Sequence, residues 1–180
     1  MFVVEPKTWG VSALVGLLLN IFGLGVMLEP PRFEMSLEGQ WNLSTGDNPD
    51  WRLPAFNSDS WKKAQVPANW ESQGLPDYNG YGWYRYTFVV PKEWEKANGI
   101  ILDLGGIDDD DITYFNGRNI GSTSGWDVPR SYGVPKSAIN FGGFNTIAVR
   151  VYDGTGGGGI YKGPIKLRSG VAARFDVESY

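Results

Sequence analysis

The side chains that most often perform catalysis at neutral pH are missing from this 180-residue chain. It contains neither His nor Cys, so a Ser-His-Asp triad, a Cys nucleophile and a disulfide are all excluded. The commonest protein ligands of transition metals are absent as well. Any chemistry must therefore depend on carboxylates, Lys, Tyr or Ser.

Carboxylates are most concentrated in the run Asp108-Asp109-Asp110-Asp111. Ca²⁺ binds several carboxylate oxygens at once, so a structural calcium site is one interpretation of this run. The spacing is not that of an EF-hand, and a strand starting here would point alternate side chains to opposite faces. The other interpretation is a solvated acidic turn in which one Asp bonds to nearby backbone. We expect the turn, with no cofactor and no metal ligand, and keep Ca²⁺ as the alternative.

The N-terminal segment is apolar and precedes a stiff, proline-containing stretch. Residues 9–28 carry no charge, and about 20 apolar residues in a helix span the hydrocarbon core of a bilayer. The length favours an uncleaved membrane anchor, with a secretory signal peptide and a buried core helix as alternatives. Either of the first two places the rest of the chain outside the cytoplasm. A net charge of −4 without a basic stripe argues against nucleic-acid binding.

Beyond this segment the chain shows the period-two alternation of short β-strands. The segments 83–90, 100–104, 112–115 and 147–152 alternate in this way. Leu37 to Leu43 forms a first strand, residues 62–66 form an edge strand and residues 165–167 form a last short strand. Asn116-Gly117 predicts a tight hairpin turn. The pattern predicts an all-β sandwich or barrel. We divide the chain into an apolar segment (1–28), a linker (29–35), a sandwich (36–168) and a tail (169–180).

Several short motifs, spread in order along residues 36–168, resemble one known family. They are Gly39-Gln40-Trp41, Trp51, Trp61, Val66-Pro67-Ala68-Asn69-Trp70-Glu71, Tyr78-Asn79-Gly80, Trp83-Tyr84-Arg85, Leu104-Gly105-Gly106-Ile107-Asp108-Asp109, Tyr114-Phe115-Asn116-Gly117, Gly125-Trp126, Pro129-Arg130, Asn145 to Val151 and Gly158-Gly159-Ile160-Tyr161. Together they resemble the galactose-binding-like, sugar-binding domain of family 2 glycoside hydrolases, and even more the version in sialate O-acetylesterase-type proteins. The resemblance implies a jelly-roll β-sandwich.

The resemblance also implies where a sugar would bind. In family 2 hydrolases the loop before the WYR-like strand and the loop around the GGI-like motif reach toward the sugar, which points to Asn79, Asp153 and Tyr161. Aromatic rings cover the apolar face of a pyranose and polar groups hold its hydroxyls. Loops that combine the two add further candidates. The complete predicted set is Tyr78, Asn79, Tyr81, Trp126, Asp153 and Tyr161.

Several of the candidates have a structural interpretation beside the functional one. Trp41, Trp61 and Trp83 are predicted to lie in the core, whereas Trp70 and Trp126 are undecided. Arg85 is expected to pair with a carboxylate on a neighbouring strand rather than with a ligand. The Gly154–Gly159 stretch could admit a ligand close to the backbone or form a surface loop.

The motifs support three functional hypotheses. The family's catalytic domains have no counterpart in this chain, so the first is a non-catalytic module that binds oligosaccharides or glycoconjugates. The second is an accessory domain of a separately encoded glycoside hydrolase or sialate O-acetylesterase. The third is a weak glycosidase whose loop carboxylates, chosen from Glu71, Asp77 and Asp153, lie about 5–10 Å apart.

Overall fold

The computed structural model describes residues 32–170 and arranges them in two antiparallel β-sheets. In chain order the strands of this part are β1 (Glu34–Ser36), β2 (Gly39–Thr45), β3 (Lys62–Val66), β4 (Gly80–Val89), β5 (Ile100–Ile107), β6 (Asp110–Phe115), β7 (Arg118–Ser124), β8 (Pro129–Val134), β9 (Phe144–Asp153), β10 (Ile160–Lys162) and β11 (Lys166–Ser169). Short 3-10 turns at Pro49–Arg52, Glu71–Gln73, Lys92–Lys96 and Lys136–Ala138 connect some of them. The predicted all-β sandwich is confirmed.

The larger sheet has six strands in the order β3-β2-β4-β9-β6-β7. In the five-stranded sheet β5 is central. β8 pairs along one edge of β5, β11 and β10 pair with successive parts of the other edge, and β1 lies beyond β11. The predicted edge strand at residues 62–66 is β3, at the border of the larger sheet. The Asn116-Gly117 turn joins β6 to β7 with positive φ at both residues (48° and 80°), as a type I′ turn requires.

The core fills the space between the sheets because alternate side chains of each strand point inward. In β9 the inward residues Ile147, Val149 and Val151 are fully buried, and Tyr84 of β4 lies beside them in the same core. Each buried aliphatic side chain of this size contributes roughly 1.5–3 kcal/mol relative to exposure. The alternation that predicted the strands therefore also produced the core.

The boundaries of the sandwich differ slightly from the predicted ones. β1 begins at Glu34 and pairs with β11, which ends at Ser169, so two residues assigned to the linker belong to a sheet. Phe33 explains the early start, because its ring stacks on Trp94 at 5.4 Å. The predicted hydrophobic helix over residues 9–28 and most of the tail lie outside the described residues. Within residues 32–170 no helix is long and apolar enough to cross a membrane.

Candidate functional site

Loops from both sheets meet at one end of the sandwich, which we call the rim and define as residues 67–79, 108–109, 125–128 and 154–159. Backbone hydrogen bonds link these loops in series. Trp70 N–H donates to Gly158 O at 3.1 Å, Asp108 N–H donates to Gly159 O at 3.0 Å, and Gly125 N–H donates to Asp109 O at 2.8 Å. The 154–159 loop thus lies between the 67–79 loop and the 108–109 turn.

Arg130, at the start of β8, fixes part of the rim. Its side chain is fully buried and its Nε donates to Asp111 Oδ1 at 2.9 Å. Its Nη1 donates to Gly125 O and its Nη2 to Asp109 O, both at 2.7 Å. Asp111 in turn accepts from the Tyr132 hydroxyl at 2.8 Å. One guanidinium therefore holds two rim loops and neutralises the buried carboxylate of Asp111.

The glycine-rich loop closes over the chain's own aromatic rings. Trp70 is fully buried, and a Cβ atom at Gly158 would lie 2.1 Å from its indole, while one at Gly82 would lie 2.4 Å from the opposite part of the ring. A Cβ at Gly159 would lie 2.4 Å from the Tyr84 hydroxyl. In this structure the space that the glycines leave is filled by Trp70 and Tyr84, so the undecided Trp70 belongs to the core.

Three carboxylates meet at the rim, two from the 108–109 turn and one from Asp153 at the end of β9. One oxygen from each of Asp108, Asp109 and Asp153 lies within 4.8 Å of the others. Asp109 occupies a left-handed turn (φ 50°) between β5 and β6, and its Oδ2 accepts from Gly154 N–H at 2.8 Å. Asp153 is fully buried at the end of β9, and its Oδ1 accepts from Thr155 N–H at 3.0 Å.

Burial and mutual repulsion act on these carboxylates. Burial is the main cause that raises the pKa of Asp153, and the charges of Asp108, Asp109 and Glu71 raise it further. Burial likewise raises the pKa of Asp108, where a backbone hydrogen bond and the charge of Arg130 act in the opposite direction. Glu71, on the 67–79 loop, lies beside the cluster, since its charge raises the pKa of both Asp108 and Asp153, and its Oε1 accepts from Gly158 N–H at 2.9 Å.

Of the predicted sugar-contacting residues, Tyr78, Asn79 and Asp153 lie next to one another at the start of β4 and the end of β9. Gly80 pairs with Asp153 across the sheet, which brings Asn79 close, and Asn79 is exposed. Tyr78 is engaged internally. Its hydroxyl donates to Tyr81 O at 2.8 Å, and its ring packs edge-on against Trp70 at 5.5 Å.

The remaining predicted residues point elsewhere. Tyr81 lies on the outer face of the six-stranded sheet, where it packs on Tyr152 at 4.8 Å and the Arg150 guanidinium lies 4.0 Å from its ring centre. Tyr161 belongs to the other sheet, and its hydroxyl donates to the carbonyl of Trp126 at 2.8 Å. Trp126 is 61% exposed. The structure thus places Tyr78, Asn79, Trp126 and Asp153 at or beside the rim. Tyr81 instead faces outward from the six-stranded sheet, and Tyr161 belongs to the other sheet.

An open cleft of about 430 Å³ lies on the outer face of the six-stranded sheet. Its lining comes from β2, β4 and the loop between β2 and β3: Gln40, Asn42, Pro54, Phe56, Asn57, Ser58, Asp59, Lys63, Arg85, Tyr86 and Thr87. None of the six predicted residues is among them. In the sequence, the residues of β2 and β4 that line the cleft are polar residues that alternate with core residues. This pattern is the same as that of a solvent-exposed sheet face, so it did not indicate a cleft.

Arg85 forms the floor of this cleft and is almost fully buried. Its guanidinium donates to the carbonyl oxygens of Trp51 and Phe56 and to the Ser58 hydroxyl. The expectation that Arg85 pairs with a carboxylate is wrong, because carbonyl groups of the loop before β3 surround it. Trp41 is in the core as predicted. Trp83 is buried as well, but it lies outside the core cluster, on the outer face of β4, where it packs against Trp51 and Tyr114. Trp61 is only half-buried and packs edge-on against Trp51 at 4.9 Å.

No protein-family model matches the sequence, and no curated protein matches it either. Solved structures do. A β-glucuronidase of Bacteroides uniformis is 25% identical with a TM-score of 0.69 over 77% of this chain. The β-glucuronidase of Ruminococcus gnavus is 19% identical (TM-score 0.66, 77%), and a glycosyl hydrolase family 2 member of Bacteroides cellulosilyticus is 23% identical (TM-score 0.65, 76%).

These proteins are much longer than the region they share with this chain. The chain corresponds to 18% of the B. uniformis enzyme, 29% of the R. gnavus enzyme and 20% of the B. cellulosilyticus protein. The similarity to sialate O-acetylesterase-type proteins stays a prediction. The resemblance to family 2 glycoside hydrolases is confirmed by structure: the chain has the β-sandwich fold of a domain that forms part of family 2 β-glucuronidases.

Proposed function

We propose that this protein is a jelly-roll module that binds carbohydrate and does not cleave it. The observation that carries the proposal is the open cleft on the six-stranded sheet, whose lining combines amide, hydroxyl and charged residues with the aromatic residues Phe56 and Tyr86. Such a lining suits a sugar, because an aromatic ring covers its apolar face while amides and hydroxyls bond its hydroxyl groups. The similarity to domains of β-glucuronidases supports the same class of ligand.

The cleft is organised by contacts that do not need a ligand. The buried guanidinium of Arg85 holds the loop before β3 over the sheet through the carbonyl groups of Trp51 and Phe56. Asn42 Nδ2 donates to Ser58 Oγ at 2.9 Å, which fixes the loop to β2. Preorganised polar groups reduce the entropy lost on binding. A shallow open site of this kind is expected to bind oligosaccharides with Kd in the range of roughly 10 μM to 1 mM.

Of the three loop carboxylates that could hydrolyse a glycoside, Glu71 and Asp153 are poorly placed to reach one, and the exposed Asp77 alone does not form the required pair. Asp153 is fully buried, and Glu71 uses one oxygen to hold Gly158. A general acid must come within hydrogen-bonding reach of the glycosidic oxygen, and a buried carboxylate does not. We therefore expect no turnover of chromogenic glycosides. Turnover that is abolished by Asp153→Asn or Glu71→Gln would contradict the non-catalytic assignment.

Calorimetric titration of the full chain with a panel of oligosaccharides, preceded by a glycan array, tests the proposal. Gln40→Ala and Phe56→Leu should each weaken binding about tenfold, which corresponds to the loss of one good contact. Gln65→Ala is the matched control, because Gln65 is an exposed glutamine on neighbouring β3 that does not line the cleft. Weakening by Trp126→Ala or Asn79→Ala instead would place the sugar at the rim. No heat and no array signal would remove the proposal.

A second candidate is an accessory domain that docks on a separately encoded glycoside hydrolase or sialate O-acetylesterase. The observation that favours it is the exposed apolar pair Trp126 and Val128 in the rim loop between β7 and β8, at 61% and 41% exposure. Co-expression with a hydrolase or esterase encoded beside the gene tests it. Co-purification that Trp126→Ala abolishes would favour this candidate over a free-standing module.

We further propose that residues 9–28 tether the domain to the outer face of a membrane or direct its secretion. The support is the uncharged, apolar character of that segment. Fractionation of cells that express the full chain, with N-terminal sequencing of the product, separates a retained anchor from a cleaved signal peptide. Recovery of the intact chain in the cytosol would contradict both.

A further inference from the structure

We propose that the rim binds one Ca²⁺ ion between Asp108, Asp109 and Asp153, with Glu71 as a fourth ligand. The residues differ from those that the acidic run suggests. Asp110 is exposed and lies opposite Tyr152 across the sheet, and Asp111 is neutralised by Arg130. Only the first half of the run takes part, together with Asp153 at the end of β9 and Glu71 of the 67–79 loop.

The geometry is that of a cluster assembled by the fold. An oxygen from each Asp lies within 4.8 Å of the others, close enough for a single cation at 2.3–2.6 Å from each oxygen. The 154–159 loop connects Glu71 to this cluster, because Gly154 N–H donates to Asp109 and Gly158 N–H donates to Glu71. The acceptor atom of Glu71 is Oε1, and the next carbonyl, that of Gly159, accepts from Asp108 N–H.

Two buried oxygens point to a ligand. Asp153 is fully buried, yet its Oδ2 has no hydrogen-bond partner among the described residues. Glu71 Oε2 is also buried and lacks a partner in this part of the chain. A buried carboxylate oxygen without a donor is unfavourable by more than a neutral group would be. These oxygens come from the end of β9 and from the 67–79 loop, and the charge of Glu71 acts on Asp153, so one cation would serve both.

No side-chain cation of residues 32–170 forms an ion pair with these four carboxylates. Arg130 is the basic residue whose charge acts on Asp108. Its guanidinium is directed to Asp111 and to backbone carbonyls. Like charges held together in a site of reduced dielectric repel one another. A bound divalent cation removes that repulsion.

The donor set indicates which cation. All the candidate ligands are carboxylate oxygens, and the chain has no His or Cys, so soft metals that prefer nitrogen or sulfur are disfavoured. Ca²⁺ accepts six to eight oxygens in flexible geometry, whereas Mg²⁺ demands near-ideal octahedral coordination and retains water. A cluster built from loops in irregular geometry suits Ca²⁺ better. The Kd for Ca²⁺ is expected near 10⁻⁴ to 10⁻³ M, the range of weak calcium sites.

Calorimetric titration of the full 180-residue chain with CaCl₂ after EDTA treatment tests the proposal. We expect one site and a rise in Tm of roughly 5–10 °C when Ca²⁺ exceeds Kd a hundredfold. Asp153→Asn and Glu71→Gln keep the size and one acceptor of each side chain and should weaken binding at least tenfold. Asp110→Asn is the matched control, because it removes one charge from the same run without touching the cluster, and its affinity should be unchanged.

Terbium luminescence supplies a readout that needs no folding comparison. Trp70 lies beside Glu71, so Tb³⁺ in the site should show emission sensitised by tryptophan, and Ca²⁺ should displace it. If Asp153→Asn fails to fold, the Ca²⁺ affinity of Glu71→Gln and the displacement of Tb³⁺ by Ca²⁺ test the proposal. Absence of heat, of a Tm shift and of sensitised emission at 10-fold the expected Kd would overturn the proposal, and so would equal losses in Asp110→Asn. In that outcome water alone occupies the space beside these oxygens.

Discussion

The indole ring of Trp70 lies against the backbone of Gly158 so closely that a Cβ atom at position 158 would come within 2.1 Å of it. Replacing Gly158 by Ala should therefore destabilise the protein by about 1–3 kcal/mol, because the ring is buried and the Gly158 backbone is hydrogen-bonded to Glu71 and Trp70, so neither can move freely. Chemical unfolding measures this change.

Gly157 is the control for this substitution. A Cβ at position 157 would meet the end of the Asn69 side chain at 2.5 Å and would lie in ordinary contact with Glu71 Oε2 at 3.9 Å. Asn69 is exposed and able to move. Gly157→Ala should cost less than about 0.5 kcal/mol. Equal losses of unfolding free energy at the two positions would contradict the inference that the Trp70 ring requires a glycine at position 158.

Sequence analysis left Trp70 and Trp126 undecided, and truncating them to Ala should change the unfolding free energy by very different amounts. Trp70 is fully buried, so Trp70→Ala should cost roughly 3–5 kcal/mol of unfolding free energy. Trp126 is 61% exposed, and Tyr161 bonds only to its backbone carbonyl, so Trp126→Ala should change stability by less than about 0.5 kcal/mol. A large loss in Trp126→Ala would indicate that its ring packs on a surface.

Breaking the buried ion pair of Arg130 and Asp111 should reduce stability far more than breaking an exposed pair. Arg130→Met leaves a buried carboxylate without its counter-charge and releases two rim loops, so we expect a loss of roughly 3–5 kcal/mol. The comparison is Arg168→Met, whose partner Asp103 is 2.6 Å away in a partly exposed pair, and there about 1 kcal/mol or less is expected. Similar losses in both variants would contradict the role assigned to Arg130.

Asp47 and Arg150 should make stability depend on pH in acid. Hydrogen bonds from Arg150, followed by one from Trp83, hold the pKa of Asp47 below its ordinary value of 3.8, although burial opposes them. Because the folded-state pKa is the lower one, the stabilisation is complete above the unfolded pKa and is lost as the pH falls through the folded pKa.

Asp47→Asn should therefore cost about 1 kcal/mol or less at neutral pH, since both side chains are partly solvated, and the difference from the parent chain should shrink below pH 3.8. Unfolding measured across this range checks the prediction. Glu95→Gln, at the exposed Lys92 pair, should give no measurable change at any pH. A difference for Asp47→Asn that grows in acid would contradict the assignment.

The strands that could be predicted are those whose own side chains alternate. β4 and β9 are long and alternate clearly, and the Asn116-Gly117 turn marks its hairpin. β8 was missed because one of its inward positions is Arg130, a charged residue that hides the alternation. β1 and β10 have three residues each, too few to show a period.

The candidate site was less predictable than the fold. Loop residues with suitable chemistry could be chosen along the chain, but the face on which each side chain lies depends on strand register. Tyr81 and Asp153 come from paired strands, yet Tyr81 lies on the outer face of the sheet and Asp153 is buried at its end. The cleft around Arg85 could not be predicted from the sequence, because its lining comes from two strands and a loop.

The amino-acid sequence alone determined the all-β class, the absence of histidine and cysteine chemistry and the position of most strands, because alternation, turn preference and composition act over a few neighbouring residues. Only the tertiary structure decided that Asp108, Asp109 and Asp153 come together and that Asp111 pairs with Arg130. Those contacts join residues far apart in the chain, and the pairing of strands across two sheets sets their distances, which no local pattern encodes.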